Sequence, residues 1–159
     1  MMSLAVYRKT ALAASLLLMT GCAGHQPPHP QTKNMLLTYQ KMADELSETS
    51  TFATYEYYLA EELIGQIHSE IAGDLDEHVE FLAPPFWFDS VSETYQGLAE
   101  GRSCLVVNGV SVDGDLISAA LEYVDRERML KVRSVEIGLY ETYESLPNEV
   151  WCPVRANEF

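Results

Sequence analysis

The chain has 159 residues with 24 acidic and 10 basic side chains, a formal net charge of −14 at pH 7 and a mean hydropathy of −0.07. This acidity argues against a nucleic-acid partner, whose phosphates require clustered Lys and Arg, and against docking on anionic lipid headgroups. It leaves three interpretations: a solubilising surface, adaptation to salt, or electrostatic steering toward a cationic partner.

Residues 1–21 have the organisation of an export signal. Arg8 and Lys9 precede an apolar run over 11–19. That run is shorter than the roughly 20 apolar residues that a membrane-spanning helix needs, so it is expected to be removed as a signal peptide. Its removal makes the net charge two units more negative, because Arg8 and Lys9 are lost with it.

The end of this signal, Met19-Thr20-Gly21-Cys22, resembles the lipobox of bacterial lipoproteins. The resemblance implies that Cys22 becomes the new amino terminus and carries the acyl chains that hold the protein on a membrane. Ala23, in place of an aspartate, implies transport to the outer membrane, with the domain facing the periplasm. The alternative is an ordinary secretory signal with an incidental cysteine.

Residues 22–34 follow as a tether, because Pro27, Pro28 and Pro30 fix φ and remove backbone donors. His25 and His29 lie in this segment and are assigned no metal. The remaining residues, 35–159, are enough for one domain of ordinary size.

Two amphipathic helices are predicted at the start of this domain. The first has an apolar stripe of Met35, Tyr39, Met42 and Leu46. The second, longer stripe ends before Gly73 and consists of Phe52, Tyr55, Leu59, Leu63, Ile67 and Ile71. We expect Tyr55, Tyr57 and Tyr58 to lie in the core and not to form an aromatic binding surface.

The next segment is rich in aromatic residues. Pro84 and Pro85 exclude a continuous helix, and residues 86–88 begin a short predicted strand. Ser90 and Glu93 have capping-box spacing, which predicts a short helix that ends near Gly101.

The last third is predicted to be an antiparallel meander. Cys104, Val106, Val110 and Val112 share one parity, and Asp113-Gly114 is typical of a tight hairpin turn. Alternation continues through Ile117, Ala119, Leu121 and Tyr123, and then through Leu130 and Val132. It changes phase before Val135, Ile137 and Leu139, so we expect a bulge near Arg133-Ser134. The competing interpretation is a helix over 115–131.

Helices followed by a meander predict a two-layer α+β domain, in which the helices pack on one face of the sheet. This element order resembles cystatin and nuclear-transport-factor-2-like folds, and a likeness at that level implies no function.

The three cysteines divide into one for the lipid and an even pair. With Cys22 acylated, Cys104 and Cys152 are predicted to form a disulfide, because an exported protein folds in an oxidising compartment. Reactive-thiol chemistry is the alternative.

The sequence has no hydrolase elbow, zinc-protease motif, phosphate loop or EF-hand. We therefore assign no catalytic residue, metal or cofactor. The nearest metal-ligand set has generic spacing and is better interpreted as solvated charge: His68, Glu70, Asp74, Asp76, His78 and Glu80. Asp113 and Asp115 are interpreted as turn residues.

Two function classes remain. The first is a non-catalytic binding or envelope-assembly lipoprotein, a plan loosely similar to that of secretin pilotins. The second is a small periplasmic enzyme or ligand-binding cup with a pocket between helices and sheet. The candidate contact surfaces are the acidic cluster, defined as Asp74, Asp76, Glu77 and Glu80, and the aromatic segment 86–88.

Overall fold

The computed structural model describes residues 35–154. The first helix, α1 (Met35–Glu48), buries the stripe that the sequence predicts: Met35, Tyr39, Met42 and Leu46. None of the helices in this described region is long and apolar enough to cross a membrane.

The second predicted helix is wrong as a continuous element, because the chain breaks it into α2 (Phe52–Glu56) and α3 (Glu61–Glu70). Between them, the backbone pairs with the sheet. Val132 donates its N–H to the carbonyl of Tyr58 and accepts from the N–H of Ala60, both at 2.8 Å. These bonds to a distant strand replace the helical bonds that the side-chain spacing alone would have favoured.

A short connecting region follows α3. It consists of a 3-10 turn (Leu75–His78), the single-turn helix α4 (Val79–Leu82) and a second 3-10 turn (Pro84–Trp87). The hydroxyl of Tyr55 donates to the carbonyl of Leu82 at 3.0 Å and so fixes α4 against α2.

Four antiparallel strands then form a meander in the order β1 (Phe88–Ala99), β2 (Arg102–Ser111), β3 (Leu116–Arg126) and β4 (Met129–Tyr140). The helix predicted from Ser90 and Glu93 is wrong, because both residues lie in β1 and pair with Val110 and Asn108. A long ladder with β2 outweighs a local capping signal worth about 1 kcal/mol.

The predicted meander over the last third is confirmed, and the competing helix over 115–131 is excluded by β3. The predicted bulge is also present. Glu122 pairs with Ser134 and Tyr123 with Val132, which leaves Arg133 as the extra residue of β4. In a regular strand, residues three apart point to opposite faces. The extra residue of the bulge shifts this alternation by one position, so Val132 and Val135 point to the same face.

The sheet has two differently covered faces. The helices pack on one, here called the helix face, where Leu105, Val107, Ala119 and Leu121 join the main core. β2 is buried on both sides instead of alternating between core and solvent. The architecture is therefore α+β with helices on one face, as predicted.

The opposite face, here called the tail face, is covered by the chain that follows β4. Cys104 and Cys152 form the predicted disulfide, with their Cα atoms 5.5 Å apart. The side chain of Asn108 donates to the carbonyl of Pro147 at 2.7 Å. This chain forms a 3-10 turn (Tyr143–Ser145) and is irregular over 146–154, and the bridge fastens its irregular part to the central strands.

Candidate functional site

An open groove of about 640 Å³ lies on the helix face of the described residues, beside the end of β4. We call it the β4 groove. Ile117 of β3 and Ile137 and Leu139 of β4 form its floor. Leu139 is 74% exposed, although it points to the same face as the buried Val132.

One wall of the β4 groove comes from the connecting region before β1. It consists of Phe81, which is 78% exposed, together with Phe86 and Trp87. The indole N–H of Trp87 donates to the carbonyl of Phe81 at 2.9 Å. This bond fixes the indole of Trp87 against the backbone of α4, next to the exposed ring of Phe81.

The rim is acidic. Glu80, Asp113 and Asp115 lie around the apolar floor, and the groove lining includes no basic side chain. The hydroxyl of Ser111 accepts from the backbone N–H groups of Asp113 and Asp115 at 3.2 and 3.1 Å, which organises the turn that carries them. No basic residue within 35–154 forms an ion pair with these three carboxylates.

The acidic cluster named from the sequence divides into two structural roles. Asp76 accepts from the backbone N–H of Phe52 at 2.6 Å, and Asp74 accepts from the N–H of Asp76 at 3.0 Å. These two carboxylates therefore hold the start of α2 and the following 3-10 turn. Glu77 and Glu80 are exposed, and of the four only Glu80 lines the β4 groove.

The two aromatic predictions have mixed outcomes. Phe88 begins β1, but Phe86 and Trp87 lie in the 3-10 turn that precedes it. Tyr55 and Tyr58 are buried as expected, whereas Tyr57 is half exposed.

Tyr57 is nevertheless engaged within the chain. The ammonium group of Lys131 lies 4.4 Å from the centre of its ring and donates to its carbonyl. Burial lowers the pKa of Lys131, and nearby Glu127 opposes this effect. This cation–π interaction links the turn that follows α2 to β4.

The buried carboxylate of Glu122 lies on the tail face and is matched by positive charge. Its side chain is 3% exposed and lies 3.5 Å from the guanidinium of Arg102 and 3.9 Å from that of Arg133. Arg102 also donates to the carbonyl of Pro153 at 2.7 Å. Removing one member of such a network would leave a buried charge without its partner, so we assign this group to holding the tail.

The histidine and carboxylate set considered for a metal is not brought together. His68 packs edge-on against the ring of Phe52, with ring centres 5.7 Å apart. Within the described part of the chain, no group of three or more His, Cys, Asp or Glu side chains is placed to hold a metal ion. The predicted lipidation residue Cys22 lies outside the described residues, as do His25 and His29.

Sequence reasoning missed the β4 groove. Parity placed Ile137 and Leu139 on the inward face of β4, which is correct, but it could not show that no helix reaches them. Phe81 carried no signal of its own, because an isolated aromatic residue next to an apolar segment usually belongs to a core.

Comparison with known protein families, curated proteins and solved structures found no match to this chain.

Proposed function

We propose that this chain is a lipid-anchored protein of the bacterial outer membrane that binds an envelope protein, without catalysis, through the β4 groove. The observation that carries the proposal is the exposure of Phe81, Val112 and Leu139 around one open groove. Exposed apolar side chains gathered in a patch are typical of an interaction site. By contrast, core side chains pack between the helices and the central strands, and the spaces shared by helices and β4 are open at the surface, which favours a surface groove over an enclosed cup.

Two features support the proposed location at the membrane. The lipobox-like sequence ends at Cys22, and the disulfide occupies the other two of the three cysteines. Disulfides persist outside the reducing cytosol, which agrees with export. Acylation of Cys22 would then tether the domain to the membrane while the acidic surface keeps it away from anionic headgroups.

The lipid assignment can be tested by Cys22→Ser in the full chain. We expect the variant to lose acyl chains and to leave the membrane fraction or accumulate as precursor, measured by mass spectrometry and fractionation. Ala23→Asp is the matched control, because it keeps the acylated cysteine and should change only the membrane in which the protein is found. Normal acylation and fractionation of Cys22→Ser would refute the assignment.

The partner assignment can be tested by placing a photo-crosslinking amino acid at Leu139 in living cells. We expect a defined crosslinked protein that decreases when Phe81→Ala is added. The control position is Leu98, which is also exposed but lies at the opposite end of β1 and outside the groove. Equal yields from Leu139 and Leu98, or no effect of Phe81→Ala, would show that the groove is not the contact surface.

A further inference from the structure

The outer edge of β4 is the second part of the same surface. β4 is the last strand of the sheet, and within residues 35–154 its outer edge pairs only at Val132, through the parallel bridge with Leu59. The seven residues after the bulge, 134–140, therefore present an edge about 23 Å long at the usual rise per residue.

The direction of the backbone groups on this edge follows from the register. Val132 turns its N–H and C=O outward to Tyr58 and Ala60, and Arg133 is the bulged residue. Because the groups of an antiparallel strand alternate between its two sides, those of Val135, Ile137 and Leu139 turn outward, while Ser134, Glu136 and Gly138 bond to β3. The outer edge thus offers a regular series of donors and acceptors.

The two edge strands of the sheet, β1 and β4, differ in how well they are protected from pairing with another chain. β1 is interrupted by register shifts between Phe88 and Ser90 and between Val91 and Glu93. Bulges, prolines and outward lysines are the usual means by which an edge avoids pairing with another chain. From Ser134 to Tyr140, β4 has none of them.

The open edge and the β4 groove adjoin each other. Residues that turn their backbone groups outward, Ile137 and Leu139, also direct their side chains to the helix face and form the groove floor. A strand added beside β4 would therefore place every second side chain on the helix face, next to Ile137 and Leu139 of the groove floor. The rim carboxylates of Glu80, Asp113 and Asp115 would add negative charge near that strand.

We infer that the partner contributes an extended segment that adds to β4 as a fifth strand, with alternating apolar side chains and flanking Lys or Arg. This inference rests on the proposed function and specifies its partner. Main-chain bonds supply affinity in such strand addition, and the groove supplies specificity. The acidic rim favours a cationic segment over a second copy of this chain, whose own groove would bring three more carboxylates.

The test uses the full acylated protein in mild detergent and a synthetic peptide of nine residues in which valine or leucine alternates with serine between lysines at both ends. A second peptide has the same sequence with its backbone amides methylated at alternate positions, which removes the donors of one edge and keeps charge and side chains. Binding is measured by fluorescence anisotropy at low and high salt. We expect the methylated peptide to bind at least about 10-fold more weakly, since it cannot form the strand bonds.

Protein variants separate the edge from the groove. Ile137→Pro removes an outward N–H and no bond to β3, so it is compatible with an edge strand; it should bind more weakly than Ile137→Ala. Phe81→Ala should weaken binding by roughly 30-fold or more, the usual threshold of an interface hot spot, whereas Leu98→Ala should have no effect. Retention of the Cys104–Cys152 disulfide and of the circular dichroism spectrum verifies the fold of each variant.

The outcomes are distinguishable. If Phe81→Ala weakens binding but methylation and Ile137→Pro do not, strand addition is wrong and the groove remains the binding site. If neither groove nor edge variants change the affinity, or if the peptide does not bind saturably, the inference is overturned. Dimerisation of the protein through β4, blocked by Ile137→Pro, would assign the edge to a second copy instead.

Discussion

Removal of the disulfide is the perturbation whose size follows most directly from the fold. Cys104 lies in the central strand β2 and Cys152 in the tail, 48 residues apart in the sequence. The variant Cys104→Ala with Cys152→Ala removes both sulfur atoms, so that neither a buried thiol nor a mispaired bridge complicates the comparison.

The expected loss comes mainly from the unfolded chain. Closing a loop of this length lowers the entropy of the unfolded state by an amount worth about 4 kcal/mol at room temperature. In the folded state the tail keeps three hydrogen bonds: Asn108 to Pro147, Arg102 to Pro153, and the N–H of Val154 to Glu136. At about 1 kcal/mol each, these bonds should hold the tail in place without the bridge.

The assay is urea unfolding of the acylated protein in mild detergent, followed by far-ultraviolet circular dichroism and tryptophan fluorescence. We expect the free energy of unfolding to fall by about 4 kcal/mol and the midpoint of thermal unfolding to fall by roughly 15 °C. The slope of the urea dependence should increase, because the unfolded chain without a bridge exposes more surface. Unbridged wild-type protein, obtained with a reductant, should behave like the double variant.

Two results would refute this reasoning. A loss below about 1 kcal/mol would mean that the loop entropy is offset elsewhere, against the chain-entropy account. Alternatively, rapid hydrogen exchange at Val154 in the variant, with the sheet still protected, would show that the bridge acts by holding the native tail. In that case the contacts of Arg102 and Asn108 would be too weak to replace it.

Two further predictions concern the sheet and the core. A Cβ atom at Gly109 would lie 2.1 Å from a backbone carbonyl oxygen of β1. Gly109→Ala should therefore lower the free energy of unfolding, measured in urea, by about 1–3 kcal/mol. The control is Gly65→Ala in α3, where an added Cβ atom has nothing within 4 Å and should raise the free energy of unfolding by roughly 0.5–1 kcal/mol. Equal effects of the two substitutions would contradict the predicted clash. Burial raises the pKa of Tyr39, Tyr55 and Tyr123 above the usual value of 10.0. Because the folded-state pKa is the higher one, stability is complete below pH 10 and falls above it by up to about 1.4 kcal/mol per pH unit for each tyrosine. The last part of the tyrosinate absorbance should therefore appear together with the loss of circular dichroism, and complete ionisation of all the tyrosines in folded protein would refute the assignment.

Parts of the fold that depend on simple periodicity could be predicted from the sequence. The stripe of α1, the turn at Asp113-Gly114 and the bulge at Arg133 each follow from a local pattern whose physical cause acts over a few residues. The pairing of Cys104 with Cys152 followed from the number of cysteines once Cys22 was assigned to lipid. No long-range geometry was needed for any of these.

The errors occurred where a distant partner decided the local structure. The stripe through Leu59 is helical in spacing, but Val132 takes the backbone bonds of Tyr58 and Ala60 and breaks the helix. Ser90 and Glu93 have the spacing of a helix start, yet β2 provides a complete ladder for the same segment. In both places the competing element lies far away in the sequence, so a local signal could not reveal it.

The candidate site was missed for a different reason, which concerns the lengths of elements. Parity assigns Ile137 to a face of β4 but does not say whether another element covers that face. α3 has 10 residues and spans about 15 Å, whereas β4 has 12 residues and spans roughly 40 Å. The helix therefore covers β4 near Val132 and Val135 and leaves the end of the strand uncovered. The apolar character of Ile137 and Leu139 is thus compatible with core packing and with binding, and only the mismatch between helix and strand favours binding.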